Sequence, residues 1–316
     1  MPPIPAPTET TAPAAPSAGV DPALAAPVAP QVRGARAHAL RATFAVLDRL
    51  APDLAAERAV RLWCTPPGNP GRRKDFRPHP GQIDRVRTER GAELVVESWG
   101  EGPVIYLVHG WGGWRGQLGA FVAPLVAAGY RVVAFDAPGH GESEPGLMGP
   151  GQGNVLDAVE GLAAVGRAFG PAAGMVAHSM GCTAAVVVAR EHLAVGRLAL
   201  IAPNEDFARI SYGFAQAIGV TERTRSRLQA RLEELCERPV EGFDLGPLGA
   251  DGGLPDPVVI HDRQDKETPY AVGARIAGSW PDARFLATSG LGHQRILADD
   301  GVVAAVVEHL TRPAGS

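Results

Sequence analysis

Cysteine is scarce in this chain. Cys64, Cys182 and Cys236 are an odd number at wide spacing among 316 residues, a usage that fits a reducing cytosol, so a cytoplasmic location is expected. No Cys-x-x-Cys pair and no His-Glu-x-x-His occurs, so a zinc site has no support and no metal is expected. Long apolar runs are also missing. None reaches the roughly 18 residues that a membrane helix needs, and membrane insertion is not expected. Nor is there a strong bias of charge: 30 basic against 34 acidic side chains leave a net charge of −4, which offers nothing to nucleic acid or to an anionic membrane surface. The glycine-rich stretch Gly149-Pro150-Gly151-Gln152-Gly153 lacks the Lys-Ser/Thr of a phosphate loop and the strand-turn spacing of a dinucleotide fingerprint. It reads as a turn before a helix N-terminus, and no cofactor is expected.

Residues 1–31 contain no Lys or Arg and are dominated by Pro and Ala, without the basic start or hydrophobic core of a signal peptide. A disordered tail over 1–32 is expected. From residue 33 apolar side chains recur at helical spacing (Leu40, Phe44, Leu47, Leu50, Leu54) and are interrupted at Pro52, which predicts two helices, followed by a linker over 66–80. The rest, 81–316, is long enough and apolar enough for one catalytic domain, since hydrophobic residues make up 45% of the chain. Strand-like runs at 83–88, 94–99, 104–108, 131–135, 175–177, 197–201, 258–261 and 284–288 alternate with helix-like ones, the rhythm of a mostly parallel eight-stranded α/β sheet with helices on both faces. Between 204 and 255 that rhythm stops, and 207–218 and 221–237 read as two helices, the second strongly charged.

The chemistry centres on Ala177-His178-Ser179-Met180-Gly181, which joins a strand-like run to an alanine-rich, helix-like one. Small residues two before and two after a serine allow a sharp strand-to-helix turn that exposes Oγ at a helix N-terminus. The pentapeptide alone is a weak signal, because serine among small residues is common in turns. Its surroundings strengthen it. The buried strand 104–108 runs into His109-Gly110-Trp111-Gly112-Gly113, a loop that can offer backbone N–H groups. Strand 258–261 leads to the acids Asp262 and Asp265, and Gly290-Leu291-Gly292-His293 places a glycine-flanked histidine on a late loop. The order is Ser, Asp, His.

Together with Asp136-Ala137-Pro138-Gly139-His140-Gly141-Glu142-Ser143, these pieces resemble the α/β-hydrolase family over roughly residues 83–310. The departure is Ala177, where family members most often carry glycine. The resemblance implies a serine hydrolase, most readily a carboxylic ester hydrolase acting on a small-molecule ester. Ser179 would be the nucleophile, His293 the base and Asp265 its orienting acid, with the backbone N–H groups of Met180 and Trp111 forming an oxyanion hole. Asp262 is the rival acid; it abuts the strand at a place usually held by glycine, whereas Asp265 matches the family's acid position. The segment 204–255 occupies the usual cap position, where Phe207, Tyr212 and Phe214, with Trp111 and Trp114, are candidates for a substrate pocket.

Plainer readings stand beside each of these. His109, His140, His178 and His261 are read as structural, the aspartates can be solvated turn formers, and the aromatic residues can simply pack. Other triad-dependent chemistry in the family (C–C bond hydrolysis, acyl transfer, cofactor-free haloperoxidation) and a non-catalytic binding role are the alternatives. A serine at position 179 argues against dehalogenase and epoxide hydrolase branches, which use aspartate there.

Overall fold

The computed structural model describes residues 34–68, 74–204 and 206–312, so the expected tail over 1–32 lies outside the described residues, as do 69–73 of the expected linker. The strands are β1 (Gln82–Arg87), β2 (Glu93–Trp99), β3 (Val104–Val108), β4 (Arg131–Phe135), β5 (Ala172–His178), β6 (Leu198–Ile201), β7 (Pro257–Asp262) and β8 (Arg284–Thr288). They form one sheet in the order β1-β2-β4-β3-β5-β6-β7-β8. The β1/β2 and β2/β4 pairs are antiparallel, and every other pair is parallel. The helices are α1 (Ala35–Leu50), α2 (Pro52–Trp63), α3 (Val122–Ala127), α4 (Val155–Phe169), α5 (Met180–Glu191), α6 (Phe207–Ile218), α7 (Glu222–Cys236), α8 (Leu245–Gly249), α9 (Tyr270–Ser279), α10 (Gly292–Arg295) and α11 (Asp300–Thr311).

Strand alternation divides the core in two. Val104, Tyr106 and Val108 of β3 face one apolar cluster with α4, α5 and α9, while Ile105 and Leu107 face the other with α3 and α11. The same alternation runs through β4 to β7, as expected of parallel strands covered on both sides. The glycine-rich stretch is a turn, with Gly149 and Gly151 at positive φ. It leads into Asn154, whose side chain accepts from the Asp157 N–H while Asp157 accepts from the Asn154 N–H, closing a capping box at the start of α4.

The N-terminal helices and the 204–255 segment are not separate additions. Here α2 packs on α7 and α1 on α6. Trp63 meets Phe214 edge-on at 5.3 Å, and the Asp48 carboxylate accepts from Thr221 Oγ1 at 2.9 Å. The four helices share the core on the α4/α5 face of the sheet.

One group of charged side chains within this apolar frame is linked into a network. Glu97 lies in the middle of β2 with a fully buried side chain and meets the guanidinium groups of Arg115 at 3.0 Å and Arg77 at 2.7 Å. Arg115 also contacts Asp136 and Glu142, and its backbone N–H donates to Asp136 at 2.7 Å. Removing one partner of such a group leaves a buried charge uncompensated. Arg115→Met is therefore expected to cost about 3–5 kcal/mol in denaturant unfolding; a loss below about 1 kcal/mol would mean that the cluster behaves as a solvated surface pair.

Candidate active site

Ser179 stands between β5 and α5 with φ 54° and ψ −123°, a left-handed corner that a serine occupies only under constraint from its surroundings. Its N–H donates to the Ile201 carbonyl at 3.0 Å. Close packing dictates the small neighbours. A Cβ on residue 181 would lie 2.6 Å from the carbonyl oxygens of Val108 and His109, and one on residue 110 would lie 2.8 Å from Ser179 Cβ. Ala177, the departure from glycine, is accommodated in the core. Met180 is the first residue of α5, so its N–H belongs to the helix end where backbone donors lack intrahelical acceptors.

The loop after β3 is a tight turn closed by Gly113 N–H to Gly110 O at 3.0 Å, which leaves the Trp111 N–H outside that bond. His109 fixes this turn to the loop after β4. Its Nε2 accepts from the Ala137 N–H at 3.1 Å and its Nδ1 donates to Gly110 O at 2.8 Å. Burial pushes its pKa down to about 4, against a smaller opposing effect of the Gly110 carbonyl, so the ring is neutral and its tautomer set by its partners.

His293 Nδ1 is 2.7 Å from Asp265 Oδ2. The other carboxylate oxygen of Asp265 accepts from the N–H groups of Glu267 and Thr268 at 2.8 and 2.9 Å. Burial alone would raise the Asp265 carboxyl. Hydrogen bonds from His261 and His293 and the Thr268 N–H outweigh it and hold the group well below the usual carboxylate range. The rival, Asp262, is the last residue of β7 and is used up in shaping the next loop: it accepts from Gln264 N–H, Leu291 N–H and Thr288 Oγ1 at 2.9 to 3.0 Å. His293 lies in the single turn of α10, not on the open loop expected from its glycine neighbours. His178, next to Ser179 in sequence, contacts His293 directly, with Nε2 2.9 Å from the His293 carbonyl and the rings 4.6 Å apart.

The aromatic candidates are scattered. Trp111 packs against His140 at 5.1 Å. Trp114 donates to the Lys74 carbonyl and lies under the guanidinium groups of Arg77 and Arg115. Phe207 is buried against Phe243, and Phe214 against Trp63. Tyr212 is 55% exposed, and its hydroxyl accepts from Gln216. None of these contacts joins Phe214 or Tyr212 to the Ser179 corner.

Several residues at the site carried no motif. His261 Nε2 reaches the Thr268 carbonyl at 3.0 Å and Asp265 at 3.4 Å; Glu267 lies 4.0 Å from His293 Nε2; and Gln117 Nε2 donates to Gln294 at 2.7 Å. Of the residues that sequence reasoning missed, Glu97 had a usable signal, a carboxylate within the mostly apolar run of β2 that a buried cation has to meet. Among the described residues no cluster of three or more His, Cys, Asp or Glu side chains could hold a metal ion, and no helix is long and apolar enough to cross a membrane.

Residues 103–217 match the family described as alpha/beta hydrolase fold. The chain is 32% identical over 149 residues to protein phosphatase methylesterase 1 of Bos taurus, a match covering 42% of this chain and 38% of that protein. Thus it spans under two fifths of that relative's length. It is 27% identical over 250 residues to a 2-hydroxy-6-oxononadienedioate/2-hydroxy-6-oxononatrienedioate hydrolase of Cupriavidus pinatubonensis, covering 65% of this chain and 82% of that one. Among solved structures, a thermophilic esterase of Thermogutta terrifontis superposes with a TM-score of 0.55 at 20% identity, over 73% of this chain and 98% of that chain.

The Asp265 environment gives a signed expectation. A carboxylate held below its unfolded value contributes stability that is present above about pH 4 and lost as pH falls below it. Asp265→Asn is expected to lower Tm at pH 7, with the gap from wild type narrowing by pH 3. An equal gap at both pH values would show that the charge of Asp265 is not what its pocket holds.

Proposed function

Because this chain is an α/β-hydrolase in fold, with esterase-like neighbours, we propose that it is a serine hydrolase of small-molecule carboxylic esters, with Ser179 as nucleophile, His293 as base and Asp265 as the acid that orients it. The observation that supports this reading is the 2.7 Å bond from His293 to a buried Asp265, together with a left-handed strand-to-helix corner at Ser179 whose neighbour His178 bonds the His293 carbonyl.

The roles follow from the atoms. With Nδ1 bound to Asp265, His293 keeps Nε2 as the nitrogen that accepts the Ser179 proton. Oγ then attacks the ester carbonyl, and the oxygen that gains charge is met by the N–H groups of Met180 and Trp111, each worth on the order of a hundredfold in rate. Collapse expels the alcohol, which leaves with the proton from Nε2 and gives an acyl-Ser179. Water, deprotonated by the same nitrogen, releases the acid and restores the serine. The orientation of α5 assists, because its N-terminal end carries partial positive charge toward Ser179. In this reading the 204–255 helices are a cap, and Trp111 and Phe207 are the aromatic residues assigned to the pocket wall. Its ester preference is consistent with the methylesterase relative, and hydrolysis of an activated C–C bond, suggested by the name of the longer match, uses the same three residues.

Intact mass after treatment with a fluorophosphonate tests the assignment without choosing a substrate. One adduct is expected on the wild type and none on folded Ser179→Ala, which should also lose turnover by roughly 10⁴-fold or more. A wild type that takes up no label would overturn the serine mechanism. Product analysis on esters and on a vinylogous diketone then decides between C–O and C–C cleavage.

A further inference from the structure

One short 3₁₀ segment, Arg115–Phe121, follows the 110–113 turn and touches the site at two points through a single side chain. Gln117 is 3% exposed. Its Nε2 donates to Gln294 Oε1 at 2.7 Å, and Gln294 follows His293 directly in α10. Its Oε1 presses against the other side: a Cβ on residue 113 would overlap that oxygen and lie 2.9 Å from Gly110 O and 3.1 Å from His109 Nδ1. That oxygen is buried and has no hydrogen-bond partner among the described residues. A buried amide with one end unsatisfied is retained at a cost, which a Leu or Met of similar size would not incur. The segment that carries it is itself fixed, since Arg115 binds Glu97 and Asp136 two residues earlier.

From this we infer that Gln117 is a positioning residue. It sets the distance between the turn that carries the Trp111 N–H and the turn that carries His293, so that donor and base stay in register on the same substrate carbonyl. The inference rests on the serine hydrolase reading for its kinetic consequence but not for its geometry. The Gln117–Gln294 bond spans 177 residues of sequence, and none of the other bonds described above joins a side chain of the 110–121 stretch to α10. Displacement of a reacting group by about 1 Å costs on the order of a hundredfold, so loss of the bond should be read in rate more than in stability.

The test compares Gln294→Leu, Gln294→Glu, Gln117→Met and the double variant Gln117→Met/Gln294→Leu in the full-length protein. The readouts are the second-order rate of fluorophosphonate labelling and amide hydrogen exchange over 110–113 and 290–295. Gln294→Leu and Gln117→Met are expected to slow labelling by about 10- to 100-fold while still reaching one adduct per chain. Gln294→Glu keeps an acceptor for Gln117 Nε2 and should restore the rate to within a few-fold of wild type. The double variant should be no slower than the slower single, because one bond is being removed, not two. In the exchange data, Gln294→Leu should lose protection in the 110–113 turn, a segment it does not belong to. A folded Gln294→Leu that labels within twofold of wild type, or losses that multiply in the double variant, would overturn the inference. If Gln117→Met does not fold, the half-buried Gln294 pair carries the comparison alone. Should the wild type fail to label at all, it is the serine mechanism that falls; unchanged exchange in the 110–113 turn of Gln294→Leu would then sink the positioning role separately.

Discussion

Arg115 is a cation enclosed by protein, and the end of the sheet that carries Ser179 is arranged around its neutralisation. Glu97 comes from the antiparallel strand β2, Asp136 from the end of β4, Glu142 from the loop beyond it, and Arg77 from the segment before β1. No two of these are adjacent in sequence, so the cluster can be satisfied only when strands and loops have reached their final positions. Such a group contributes specificity of arrangement more than net stability, since the attraction must first offset the loss of hydration of every member. Its position matters because the 110–113 turn is bounded by it. Arg115 begins two residues after that turn, and Asp136 begins the loop whose Ala137 N–H holds His109. The geometry around Ser179 is thus inherited from an ionic requirement some distance below it.

Much of this is legible in the sequence. The apolar runs locate all eight strands within a few residues; the signal is strongest for β3 to β7, which are covered on both faces and read as nearly uninterrupted hydrophobic stretches, and weakest for the partly exposed edge strands β1 and β8. The elbow was visible because its small residues answer local collisions, as at Gly181 against the carbonyls of Val108 and His109. Asp265 and Asp262 could not be separated by spacing alone, and it is their partners that distinguish them: one faces an imidazole, the other the backbone of the next loop. What stayed hidden depends on contacts over long separations. Gln117 and Gln294 are ordinary polar residues in sequence, and His261 looked like one strand-end histidine among several. Residue type alone marks the aromatic candidates in the 204–255 segment; Phe214 is committed to Trp63 and Tyr212 to the surface, because a helix with apolar residues must serve whichever neighbour covers it.

Two further imidazoles and two carboxylates lie around the base, yet the three histidines are not equivalent. His178 and His261 make their bonds through Nε2 to main-chain carbonyls. His293 alone has a carboxylate on Nδ1 at short range, leaving Nε2 toward the half-exposed side where Glu267 lies. Division of labour among identical side chains is thereby set by which nitrogen the backbone occupies.

The pairing of α1 and α2 with α6 and α7 also bears on how the chain is made. The last residue of α2 is Trp63 and the last of α7 is Cys236, so at synthesis rates of roughly 5 to 20 residues per second the first pair leaves the ribosome about ten seconds or more before its partner is complete. Until then Phe44, Val60 and Cys64, buried in the finished protein, have no α7 to cover them. The first half of the roof over the sheet is consequently translated well before the helices it contacts, an interval in which the nascent chain shows its apolar side to whatever holds newly made polypeptides.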